Sequence, residues 1–343
     1  MTRTTQVCTA LAVVLLASSA LPALAGPNGE VNLYSSRHYD TDERLYSDFE
    51  EETGITINRI EDGADILIER MQAEGANSPA DVLITVDAAR IGRADAAGLF
   101  QPVSSDVLES RIPANLRHPE GHYFGFSTRA RPIWFDKAEV ENPPQTYADL
   151  ADPQYEGLVC ARSSSNVYQQ SLMASIIANE GEEAARAWAE GLVSNFARDP
   201  EGGDTDQLRA IVSGQCDIVI ANTYYFGRAI AGDVEGLTGS TDMIGVAWPN
   251  QDSSGTHVNV SAAGVAANAP NRENAIAFLE YLASDSAQRY FADGNQEYPV
   301  VDSVEPPQSM EGLGDFKADA INIADLAANQ RRAVEIFDEV GYE

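Results

Sequence analysis

The 343-residue chain carries only 22 lysines and arginines against 53 aspartates and glutamates, a formal charge of −31. That shortage of positive charge excludes nucleic acid as a natural partner, because phosphate binding draws its affinity from clustered Lys and Arg. Cysteine is as scarce, with three residues, and histidine supplies four. Neither Cys160 nor Cys216 has a second Cys or a His at ligand spacing nearby, which argues against a thiolate metal site. The sequence has no G-x-S-x-G, no HExxH, no P-loop and no dinucleotide fingerprint, so the common hydrolase, metalloprotease and nucleotide-binding classes lose their signatures. Beyond residue 25 no segment is long and apolar enough to span a bilayer. Hydrophobic residues nevertheless make up 44% of the chain. The acidity therefore belongs to a folded protein with a solvated surface rather than to a disordered one.

What is present starts at the N-terminus. Residues 1–25 hold one charge, Arg3, then the apolar run Ala10-Leu-Ala-Val-Val-Leu-Leu16, and end in Ala23-Leu-Ala25. This is the pattern of a secretory signal peptide with an A-x-A cleavage site. Ser18, Ser19 and Pro22 interrupt the stretch before it reaches the roughly 20 residues of a membrane span. The rest of the chain is long enough for two domains with their own cores. In an exported chain the remaining pair, Cys160 and Cys216, favours a disulfide over two free thiols.

Short apolar strands alternate with helical patterns, which predicts an α/β architecture. Val31 to Tyr34 reads as a first strand. Thr41-Asp-Glu-Arg offers a cap for a helix with Leu45 and Phe49 on its apolar face, ending before Gly54. Ile55 to Ile60 alternates like a strand, Ile66, Leu67 and Met71 mark a helix, and Ala80 to Val86 is a third strand, after which Asp87 caps a helix running to Gly98. Further helices are expected around Trp188, Leu192 and Phe196, around Leu208, Ile211 and Val212, and around Ile276, Phe278, Leu279 and Leu282. Asp217-Ile-Val-Ile-Ala221 reads as a core strand of a parallel sheet. Two lobes joined by crossing strands are expected, with crossings at Gly125 to Phe135 and at Gly245 to Pro249. The expected division is residues 26–126 plus 251–301 for an N-terminal lobe and 127–250 plus 302–343 for a C-terminal lobe. A ligand belongs in the cleft between them.

Directly after the Asp217 to Ala221 strand stand two adjacent phenols, Tyr224 and Tyr225, in Asn222-Thr-Tyr-Tyr-Phe-Gly-Arg228. Ligands gather at the carboxyl ends of strands in open α/β sheets. Side chains alternate along an extended strand, so both phenols reach one pocket only if the backbone turns there. A pair so placed suggests a hard-metal site.

With this pair, the segments Asn32-Leu-Tyr-Ser-Ser-Arg-His-Tyr-Asp40, Arg162-Ser-Ser-Ser-Asn-Val-Tyr168 and Gly294-Asn-Gln-Glu-Tyr-Pro-Val300 complete a set of motifs. Together they resemble the ferric-iron substrate-binding proteins of bacterial ABC transporters, a group that includes the Fut, Idi and Fbp branches. The likeness is greatest to the Fut branch, since Tyr39 follows His38 and the Tyr-Tyr pair is intact. The resemblance implies a two-lobed type II periplasmic binding protein with strand crossovers as its hinge. It implies Fe(III) as the transported ligand, held by Tyr39, Tyr168, Tyr224 and Tyr225, and leaves His38 open as a further ligand. It places the guanidinium groups of Arg129 and Arg228 beside the iron, leaves open whether an exogenous anion completes the coordination, and implies a monomer that docks on an inner-membrane permease. Tyr298 and five other tyrosines, Tyr34, Tyr46, Tyr147, Tyr155 and Tyr281, are expected in structural roles. His257 is expected to be a structural histidine near the second crossing.

The chemistry agrees with that implication. Fe(III) is a small, highly charged ion that prefers anionic oxygen, which a phenolate supplies. A free Tyr titrates near 10, so each ligand must lose a proton as the metal binds, and binding weakens in acid. Two other readings stay open on the sequence. One is a binding protein of the same fold for an organic cation or an oxyanion, such as a polyamine, thiamine or a phosphonate; the other, weaker for want of any catalytic motif, is an enzyme.

Overall fold

The computed structural model describes residues 29–343 except His38 and Asp40. The expected signal peptide and His38, left open as a further ligand, lie outside the described residues. Among the described residues ten strands form two sheets. The six-stranded sheet contains β1 (Gly29–Ser35), β2 (Ile55–Glu61), β3 (Val82–Val86), β4 (Phe124–Ala130), β9 (Val258–Val265) and β10 (Tyr298–Pro299), in the order β10-β4-β9-β3-β1-β2. The four-stranded sheet contains β5 (Ile133–Asp136), β6 (Val159–Cys160), β7 (Ile218–Ile220) and β8 (Ile244–Ala247), in the order β6-β7-β5-β8.

Each sheet organises its own core and so its own lobe. In the first, β1 pairs in parallel with β2 and β3, while β9 runs antiparallel between β3 and β4. β9 is buried at all eight positions, as a central strand covered on both faces must be. Leu33, Phe49, Leu67, Ile84, Phe126 and Phe278 pack in this core. In the second lobe the pairing is mixed: β7 is parallel to β6 but antiparallel to β5. The expectation of a parallel sheet around β7 therefore holds on one side only, because β5 arrives from the other lobe in the opposite sense. The helix Ile323–Val340 ties the lobes together, with Leu326 in the first core and Ala333, Ile336 and Phe337 in the second. Among the described residues no helix is long and apolar enough to cross a membrane.

The first crossing is a two-residue step, Arg131 and Pro132, between the end of β4 and the start of β5. The second lies later than expected. The Gly245 to Pro249 segment is mostly β8, an edge strand paired with β5, and the chain returns to the first sheet only through residues 248–257. Two hydrogen bonds pin the crossings to each other: the Tyr147 hydroxyl donates to the Arg131 carbonyl (2.9 Å) and accepts from the His257 N–H (3.1 Å).

Local expectations were modified where tertiary contacts won. Thr41 does not cap the helix Asp42–Thr53; its hydroxyl donates instead to Asn295 Oδ1 at 2.6 Å. Phe196 lies beyond its expected helix, which stops at Ser194 because the Asn195 amide donates to the carbonyls of Leu150 and Asp152. Asp87 does cap the helix Ala88–Ala96, accepting from the Ala89 N–H at 2.8 Å. It adopts φ 90°, unusual outside glycine. Its carboxylate is held there by Asn259 of β9 and, across the lobe boundary, by the hydroxyl of Ser171 on the helix Val167–Glu180. Cys160 and Cys216 form a disulfide with Cα atoms 5.9 Å apart, joining β6 to the residue that leads into β7.

Candidate metal centre between the lobes

Tyr168 and the Tyr224-Tyr225 pair come from two helix N-termini in the second lobe. Tyr168 sits in the first turn of the helix Val167–Glu180, capped by the Asn166 side chain, which accepts from the Tyr168 N–H at 3.0 Å. Tyr224 and Tyr225 lie in the first turn of the helix Thr223–Ala231, which begins directly after β7. The turn from strand to helix sends both phenols to one region, and their rings stack with centroids 4.1 Å apart. The Tyr224 and Tyr168 hydroxyls stand 3.5 Å apart. Tyr39 arrives from the first lobe, from the segment after β1. The Arg228 guanidinium lies 5.1 Å from its ring centroid and 4.9 Å from that of Tyr224, so one cation lies against phenols of both lobes.

The site is rich in guanidinium groups. Arg37 lies 4.9 Å from the Tyr39 ring, Arg129 5.9 Å from the Tyr224 ring and Arg162 5.5 Å from the Tyr168 ring. Arg129 and Arg37 are fully buried and share one carboxylate, Glu297. Its Oε1 accepts from Arg129 Nη2 at 2.8 Å and its Oε2 from Arg37 Nη1 at 3.2 Å, while the Ser127 hydroxyl donates to Oε2 at 2.7 Å. Arg37 is also paired with Asp42, at 3.0 Å. Arg129 Nε and Nη1 are buried donors without a partner among the described residues. Behind the second-lobe phenols, Asp204 joins Arg131 (2.9 Å) and Arg162 (3.4 Å) and accepts from the Asn222 N–H (2.8 Å), which fixes the entry to the Tyr224 helix.

These surroundings set the protonation of the phenols. Burial pushes the Tyr224 phenol far above its usual range, and the neighbouring phenols Tyr168, Tyr225 and Tyr39 add to the shift. Tyr225 is raised by burial and then by Asp204. Tyr39 is raised by burial and by Glu297, with Arg37 partly offsetting them. These phenols are thus neutral at ordinary pH without a metal. Burial also opposes ionisation of Glu297, but Arg37 and Arg129 outweigh it and hold its pKa below the usual value. A cluster of neutral phenols facing positive charge is poised to ionise once a highly charged cation arrives.

The structure thus brings Tyr39, Tyr168, Tyr224, Tyr225, Arg129 and Arg228 to one cleft. Sequence reading passed over Arg37, Glu297, Arg162 and Asp204 as site residues. Three of these, Arg37, Glu297 and Arg162, lie within the quoted motifs, so the signal was present, but their pairing spans up to 260 positions and only the fold reveals it. The six tyrosines expected in structural roles lie away from this cluster. Tyr34, Tyr46, Tyr147, Tyr155 and Tyr281 are buried in the cores, and Tyr298 packs edge-on against Phe316 with centroids 5.5 Å apart. His257 is buried at the crossing, with neither ring nitrogen hydrogen-bonded among the described residues.

Comparison with known proteins follows the same direction. The sequence profile of the bacterial extracellular solute-binding proteins matches residues 77–314. Iron uptake protein A1 of Synechocystis sp. is 49% identical over 319 residues, covering 93% of this chain and 89% of the relative. Iron uptake protein A2 of the same organism is 50% identical over 340 residues, covering 98% and 96%. Among solved structures, the Trichodesmium protein IdiA (FutA) in complex with iron and citrate superimposes with a TM-score of 0.89 at 49% identity, covering 92% of this chain and all of that one.

Proposed function

The chain belongs to the bacterial extracellular solute-binding proteins, and from that membership we propose that it is the periplasmic binding component of an ABC iron importer. It captures Fe(III) in the interlobe cleft and delivers it to a permease in the inner membrane. The lobes divide at the Arg131-Pro132 step and within residues 248–257, and the protein acts as a monomeric carrier, not a catalyst, exported by its cleaved leader.

One observation carries this reading: phenols from both lobes converge on one buried cleft, with the Tyr168 and Tyr224 hydroxyls 3.5 Å apart and Arg228 lying against Tyr224 and Tyr39. Tyr168, Tyr224 and Tyr225 form the fixed part of the site on the second lobe. Tyr39 completes it when the lobes close, so binding selects the closed arrangement. Four phenolates around Fe(III) leave a net charge of about −1, which a nearby guanidinium offsets while donating to a ligand oxygen. Arg228 and the unpartnered Nε and Nη1 of Arg129 are suited to this. A cavity of about 570 Å³ lined by Tyr39, Thr41, Arg228 and Asn295 opens onto the cleft and has room for an exogenous oxyanion. The solved Trichodesmium relative is in complex with iron and citrate, and here a carboxylate reaching Arg228 from this cavity would complete the coordination. Protonation of the phenolates, or one-electron reduction to the softer Fe(II) by an external donor, releases the cargo.

The guanidinium groups around the phenols oppose an organic cation such as a polyamine or thiamine, because each would repel it. An oxyanion alone would satisfy the arginines but leaves the converging phenols without a purpose. Metal analysis and a visible spectrum of protein purified without chelator test the proposal. Near-stoichiometric iron with an orange-red colour is expected; colourless protein that stays metal-free after exposure to a ferric chelate refutes it.

A further inference from the structure

A second group of metal-binding side chains lies on the first lobe, apart from the tyrosines. Asp95 stands in the last turn of the helix Ala88–Ala96, and His118 and His122 flank a tight turn just before β4. The turn closes through the Gly121 N–H on the His118 carbonyl (2.9 Å) and the His118 N–H on the Tyr123 carbonyl (2.9 Å). Gly121 has φ 76°, and a Cβ there would meet the Val103 carbonyl oxygen at 2.4 Å, so the turn depends on glycine. This geometry stacks the two imidazoles nearly parallel, with centroids 4.5 Å apart, and presents both to Asp95. His122 Nδ1 is 2.6 Å from Asp95 Oδ1 and His118 Nε2 is 3.4 Å from Asp95 Oδ2. One ligand atom from each of the three residues lies within 4.8 Å of the others.

We propose that Asp95, His118 and His122 form a binding site for a divalent transition-metal cation, separate from the tyrosine centre. Two imidazole nitrogens and one carboxylate oxygen suit ions such as Zn(II), Co(II), Cu(II) or Fe(II), and suit Mg(II) poorly. Donors around a tetrahedral zinc at about 2.0–2.1 Å stand roughly 3.3 Å apart, so the three groups need only small side-chain adjustments to surround an ion, with water filling the rest. The Glu120 carboxylate lies 3.8 Å from His122 Nε2, beyond hydrogen-bond distance, and adds negative charge beside the ring. His118 Nδ1 accepts from the Glu120 N–H at 3.2 Å. Coordination through Nε2 requires the Nδ1–H tautomer, which gives up this hydrogen bond and leaves the exposed Glu120 N–H to water. A cavity of about 570 Å³ reaches Asp95 and His118 and gives an ion access, and Arg93 at its wall is already engaged by Asp65. The net charge of −31 raises the local concentration of cations.

The test is a Co(II) titration of the iron-loaded protein, followed by its d–d absorption and by displacement with Zn(II). One Co(II) per chain is expected. His122→Ala and Asp95→Asn should each weaken binding at least about tenfold, while the visible band of the iron centre is unchanged. The same titration on Tyr224→Phe protein needs no iron and gives the same Co(II) site, so failure of the ferric reading would not be confused with failure of this one. Thermal unfolding confirms that each variant is folded, and His118→Gln serves if one is not. Absence of saturable Co(II) binding, or equal affinity in the folded variants, overturns the proposal and leaves the three residues as an ion-paired turn.

Discussion

Glu297 pairs with two fully buried guanidinium groups beside the phenols, which makes Glu297→Gln a sharp probe of the site. The substitution preserves shape but removes the charge that Arg129 meets at 2.8 Å and Arg37 at 3.2 Å, and it points an amide donor at groups that only donate. Arg37 keeps Asp42, whereas Arg129 keeps no carboxylate among the described residues. Breaking a buried pair by removing one partner costs about 3–5 kcal/mol, and that is the expected loss in urea unfolding of the iron-free protein. Iron changes the balance: the phenolates that form around it face Arg129 and replace part of the lost charge. The iron-loaded variant should therefore lose less, and iron should stabilise the variant more than the parent. A loss below about 1 kcal/mol without iron, or the same loss with and without iron, would refute the linkage between this ion network and the phenols.

Three further outcomes are expected. His257 is buried with its pKa depressed to about 3 by burial and by Arg131, so the folded state holds it neutral. Its stability contribution is complete above the ordinary His value near 6.5 and falls by about 1.4 kcal/mol per pH unit below it; urea titrations at pH 7.0 and 5.5 should show a smaller acid loss in His257→Gln. Because Tyr39, Tyr224 and Tyr225 are raised above the usual tyrosine range and so protonated in neutral solution, each phenol that coordinates must release its proton. A pH-stat titration with a ferric chelate, corrected for the chelator's own protons, should release several protons per iron, and affinity should fall steeply in acid; release of less than one would contradict phenolate binding. The Cys160–Cys216 disulfide closes a loop with a sequence separation of 56, so Cys160→Ala with Cys216→Ala should cost about 4 kcal/mol in unfolding while iron binding survives in the folded fraction.

Much of this architecture was legible because the pattern and the packing agree. β1, β2, β3 and the helices between them follow the apolar periodicity of residues 31–98, and Asp87 caps where it was expected to. The phenols were legible for a different reason: Tyr224-Tyr225 follows an apolar strand, and Tyr39 and Tyr168 stand in motifs of their own. The crossings were harder to read. A two-residue step at Arg131-Pro132 leaves no compositional mark, and β8 has the apolar look of a crossing strand although it is an edge paired with β5. The pairing within the charge network was not legible, since Glu297 meets Arg37 across 260 positions and Arg129 across 168. Such contacts are fixed by strand order rather than by local sequence.

The central claim is that Fe(III) is held by phenolates from both lobes, and the visible spectrum of iron-loaded protein tests it most directly. Tyr39→Phe, Tyr168→Phe, Tyr224→Phe and Tyr225→Phe should each weaken or shift the phenolate-to-iron absorption, with Tyr224→Phe losing most of the affinity because its phenol sits between Tyr168 and Tyr225. An absorption band unchanged in Tyr224→Phe would remove that residue from the metal, and one unchanged in all four would contradict the account.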